Sequence, residues 1–70
     1  MRLSTRNQLP GTVVSVTTGE AMAVVKVRLD GGEHITSSIT RDAVADLGLA
    51  EGSKVTVLVK STEVALGVED

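Results

Sequence analysis

The chain has 70 residues, room for one small domain, and it lacks the usual staples of a domain that size. It has no Cys, Phe, Tyr or Trp and a single His, which excludes disulfides, thiolate metal sites and an aromatic core. A net charge of −2 offers no basic field to nucleic acid or an anionic membrane, and no apolar run approaches the roughly 20 residues that span a bilayer.

The chain opens on a polar cluster, Ser4-Thr5-Arg6-Asn7, ahead of a valine-rich stretch. From Thr12 to Thr17 the residues alternate, with Val14 and Val16 on one side and Val13, Ser15 and Thr17 on the other; period two with β-branched residues predicts a strand. Gly19-Glu20 reads as a hairpin turn. In the second run Ala21, Ala23, Val25, Val27 and Leu29 share one face, and Met22, Val24, Lys26 and Arg28 the other. Asp30-Gly31-Gly32-Glu33 is a stronger turn signal. It leads to a third run, in which Ile35, Ser37 and Ile39 alternate with His34, Thr36 and Ser38.

The period then changes. Thr40 is placed to N-cap a helix with Asp42 in its first turn, Ala43, Val44 and Leu47 at helical spacing, and Gly48 to end it after about two turns. A fourth run, Lys54 to Lys60, carries Val55, Val57 and Val59 on one face, and Val64, Leu66 and Val68 predict a fifth strand. The order β-β-β-α-β-β predicts an all-β fold, a small five-stranded OB-like barrel with one short helix between strands 3 and 4, filling residues 1–70 as one domain. So small an aromatic-free core needs more burial, and an interface with further copies is its expected source.

Donors dominate the polar segments. Ser4-Thr5-Arg6-Asn7, Lys60-Ser61-Thr62 and Thr36-Ser37-Ser38 bring guanidinium, ammonium, hydroxyl and amide groups with no carboxylate pair or nucleophile–base pair. Such a set suits a fully ionised tetrahedral oxyanion such as molybdate, tungstate or sulfate. Phosphate carries a proton at neutral pH that wants an acceptor. The competing reading is a solvated Arg6, an ordinary polar turn at Lys60-Ser61-Thr62, and Thr36 as a plain β-former.

These residues also carry a resemblance. "LSTRNQLPGTVVSV", "MAVVKVRLDGGEHITSSIT" and "AVADLGLAEGSKVTVLVKSTEVAL" together resemble the molbindins, the small Mop-type molybdate-binding proteins. The family's Ser-Ala-Arg-Asn-Gln-Leu-x-Gly opening appears as Ser4 to Gly11, with Thr5 in place of the usual Ala, and its Lys-Ala/Ser-Ser/Thr-x-Val as Lys60 to Val64. The resemblance implies a homohexamer, a trimer of strand-exchanged dimers, with molybdate or tungstate bound between subunits. Ser4, Arg6 and Asn7 of one chain would face Lys60 and Ser61 of another, Thr36 would be a weaker contributor, and Met22 and Ala23 would mark further sites near symmetry axes.

The implied function is cytoplasmic oxyanion storage or homeostasis without catalysis. The alternative is a module that senses molybdate and docks on another protein. Nucleic-acid binding, common among OB barrels, lacks here both the stacking aromatics and a basic balance.

Overall fold

The computed structural model describes residues 1–70. Four strands form one antiparallel sheet: β1 (Asn7–Thr18), β2 (Met22–Leu29), β3 (His34–Thr40) and β4 (Lys54–Val59), in spatial order β3-β2-β1-β4. A short helix, α1 (Arg41–Leu47), connects β3 to β4, and a 3-10 turn (Ser61–Glu63) follows β4. The sheet curls around its apolar face as a half-barrel. No helix is long and apolar enough to cross a membrane.

β1 is longer than its alternation suggests. It begins at Asn7 and runs through Pro10-Gly11, a pair that reads locally as a turn. Proline is tolerated because register pairing with β2 begins only at Gly11 opposite Leu29; at Pro10 that side offers the Asp30 N–H, which donates to the Pro10 carbonyl at 3.0 Å and asks for no N–H in return. A β-bulge then breaks the register between Val13 and Ser15. It reverses the alternation, so Val13 and Val16 both face the core while Val14 turns out to solvent. The expected pairing of Val14 with Val16 on one face is therefore corrected: one extra residue resets a period-two pattern.

The core is small. Val13, Ala23, Val25, Val27 and Val44 are buried, flanked by half-buried Val16, Leu29, Ile35, Ile39, Leu49, Val55 and Val57. Val44 is the one buried residue of α1, which closes one end of the curled sheet over β2 and β3. The helix is bounded as its sequence predicts. Thr40 Oγ1 accepts from the Ala43 N–H at 3.1 Å, and Gly48, at φ 62°, donates back to Ala45 while Leu49 donates to Val44.

The fifth strand is not formed. Residues 64–70 pair with no strand, and Leu66 and Val68 are 94% and 92% exposed. A strand needs a neighbour's ladder, and none of this chain's strands takes it up. The sheet therefore has four strands and two open edges, β3 and β4.

Candidate functional site

The β1–β4 ladder decides where the polar segments meet. It runs from Thr12 opposite Lys54 to Asn7 opposite Val59 without a break. Asn7 Nδ2 donates to the Val59 carbonyl at 2.9 Å, clipping the start of β1 to the end of β4 across 52 residues of sequence. Gln8 Nε2 donates to the Thr5 carbonyl at 2.8 Å and fastens the segment just before the strand.

One step beyond the last ladder pair, Asn7 opposite Val59, the chain continues into Arg6 on one side and Lys60 on the other, neither of them paired in the ladder. Both are exposed and fall on the face that also carries Gln8 and Leu58. Two cations at one ladder end repel, so the place favours an anion between them. Ser4 lies two residues before Arg6, and Ser61 opens the 3-10 turn directly after Lys60, both exposed.

Ser4, Arg6, Asn7, Lys60 and Ser61 thus lie at one end of the same ladder in a single chain. The sequence could not show it, because a pairing between distant segments leaves no local periodicity. Asn7 is half-buried and spends one of its amide hydrogens on Val59, so it acts first as a clip.

Thr36 is not brought to this cluster. It pairs with Lys26 on β2, which pairs with Ser15 on β1, eight residues and roughly 25 Å along the strand from Asn7. Of the two residues expected near symmetry axes, Met22 is exposed, whereas Ala23 is buried in the core and presents nothing to a ligand.

An open groove of about 750 Å³ lies elsewhere, lined by Leu47, Leu49, Val55 and Leu58 together with Asp30 and Lys54. Its lining mixes apolar and polar side chains, and it follows β4, one of the two open sheet edges. Its chemistry suits the side chains of another strand.

Comparison with known proteins agrees with the curled sheet. The TOBE domain family matches residues 3–66. Molybdenum-pterin-binding protein 3 of Clostridium pasteurianum is 44% identical over 66 residues, covering 94% of this chain and 97% of that protein. The solved structure of MopII from Clostridium pasteurianum superposes with a TM-score of 0.91 at 43% identity, covering 96% of this chain and all of that one. The cytoplasmic molybdate-binding protein ModG, solved with molybdate bound, gives a TM-score of 0.94 at 46% identity over 99% of this chain, which spans about half of ModG's length, 49%. With the family match running from Leu3 to Leu66 and whole-length relatives at this identity, the chain belongs to the TOBE-domain family and, within it, to the Mop-type molbindins.

Proposed function

We propose that this protein binds molybdate or tungstate for storage and homeostasis in the cytoplasm, at sites shared between subunits of a homo-oligomer, and that it catalyses no reaction. The observation that carries the reading is the juxtaposition of Arg6 and Lys60 among the hydroxyls of Ser4 and Ser61, at the end of a ladder that Asn7 clips shut. A tetrahedral dianion relieves the repulsion of the two cations and accepts from every neighbouring donor. Each hydrogen bond to a charged group is worth roughly 1.5–3 kcal/mol, so four or five support micromolar affinity after immobilisation costs. The relatives named for molybdate or molybdenum-pterin binding support this ligand class.

Two features support the shared site. Ser4, Arg6, Asn7, Lys60 and Ser61 stand at one end of the ladder, where a second copy can add its own donors, and Thr36, remote from them within the chain, would join them from another subunit. The unpaired Val64-Ala65-Leu66-Gly67-Val68 segment, with every second residue apolar, fits the open strand edges and the groove of a neighbouring copy. Strand exchange of this kind completes the five-stranded OB-like barrel, and a hexamer built as a trimer of such dimers is the assembly proposed.

Isothermal titration of the assembled protein with molybdate, tungstate, sulfate and phosphate tests the reading. Tight uptake of the first two with weak or no response to the others is the expected result. No heat with any of the four, and no thermal stabilisation by them, rejects oxyanion binding. A chain that runs as a monomer in light scattering rejects the shared site.

A further inference from the structure

Charge in this fold is sorted by position. The chain has nine carboxylates, and none of them lies in a strand. Glu20, Asp30, Glu33 and Glu51 are in turns, Asp42 and Asp46 in α1, and Glu63, Glu69 and Asp70 follow β4. The strands instead hold Lys26, Arg28, Lys54 and the one histidine, His34, all exposed on the convex face of the sheet. The strand residues of this face thus include no acid although the chain's net charge is −2, and Asp30 and Glu33 stand in the turn just beyond Arg28 and His34.

The register turns these residues into rows. Arg28 stands opposite His34 on one side and Thr12 on the other, and Thr12 stands opposite Lys54, so a single row crosses all four strands. Lys54 Nζ donates to Thr12 Oγ1 at 3.0 Å, which holds the ammonium in the row. The adjoining row is Thr36, Lys26 and Ser15.

Cations gathered on one face repel one another, and a face built for solubility intersperses both signs. Here the cross-strand neighbours of Lys26 and Arg28 are hydroxyls and an imidazole, none of which neutralises them.

We propose that this convex face docks an extended acidic segment of a partner protein, with Lys26 and Arg28 pairing its carboxylates and the hydroxyl of Thr12 bonding its polar groups. The spacing fits. Lys26 and Arg28, two residues apart on β2, are about 7 Å apart along the strand, the repeat at which an extended segment presents every second side chain. A nucleic acid matches the charge but finds no aromatic on which to stack a base.

The test is fluorescence anisotropy of a labelled peptide of alternating glutamate and serine, long enough to cross the sheet, titrated with the assembled protein at about 0.15 M salt. The expected result is binding that weakens at least tenfold in the double variant Lys26→Gln with Arg28→Gln, persists in Lys26→Arg, and loosens as salt rises. Thermal melts confirm that the double variant stays folded. Molybdate titration of the parent is run beside it, and a parent that takes up molybdate but binds no peptide rejects the docking idea alone. Failure of the docking idea is therefore separable from failure of the oxyanion reading. No binding of the peptide by the parent, equal binding by parent and double variant, or tighter binding of an oligothymidylate of equal charge each overturns the proposal.

Discussion

Arg6 and Lys60 are the next residues past the Asn7–Val59 end of the β1–β4 ladder, and this arrangement gives Arg6→Ala a distinctive signature. Removing an exposed side chain far from the core changes stability by no more than about 0.5 kcal/mol. Here the sign should favour the variant without ligand, since a like-charge pair is relieved. With molybdate the sign reverses. Loss of a charged multi-donor group is expected to weaken binding at least about tenfold, or 1.4 kcal/mol. Calorimetry and thermal melts with and without molybdate measure the two effects side by side. Unchanged affinity removes Arg6 from the site. The donors themselves were legible as residue types in the sequence. Their meeting was not, because it depends on Asn7 reaching Val59 across 52 positions, and local pattern carries no information about register at that separation.

Elements were legible to the extent that their signals are local. The helix announces itself through Thr40, Asp42 and Gly48, each acting within one turn, and its caps form as read. β1 is the opposite case. Pro10-Gly11 carries the composition of a turn yet lies inside a twelve-residue strand, and the bulge after Val13 inverts the faces that alternation assigns. Gly11 is there for space. It is buried, and a Cβ on it would meet the Arg28 carbonyl oxygen and Val27 Cγ1 at 2.8 Å each. Backbone and a packed core valine cannot both give way. Gly11→Ala is expected to lose about 1–3 kcal/mol through overpacking, seen as a melting temperature lower by several degrees. Because the strand also carries Arg6 to the ladder end that Lys60 follows, molybdate affinity should fall with it. A variant as stable as the parent would mean that β1 and β2 can separate at little cost.

At the scale of the whole molecule, the surface is larger than a compact fold of this mass exposes. A compact monomer of 7.2 kDa exposes about 4,100 Å², and this chain exposes 5474 Å². The radius of gyration, 13.1 Å, likewise exceeds the roughly 11 Å of a compact chain of this length. Much of the excess is the segment after the 3-10 turn, where Leu66 and Val68 stand almost fully in water beside no partner. The alternation of Val64, Leu66 and Val68 thus predicts a strand that does not form: the pattern specifies which side chains would be buried, but a strand also needs a ladder, and none within this chain takes the segment up. Leu66→Asp with Val68→Asp keeps the chain's length and its four paired strands but sets two charges where the proposed interface must be dry. Light scattering should then find a smaller species than the parent. If assembly and ligand are coupled, molybdate should bind the variant more weakly although every donor in the chain is intact, and in the parent it should raise the melting temperature in proportion to the logarithm of its excess over Kd. An assembled variant would place the interface elsewhere on the molecule. A dissociated variant that binds molybdate as tightly as the parent would make the site complete within one chain, with Thr36 no part of it.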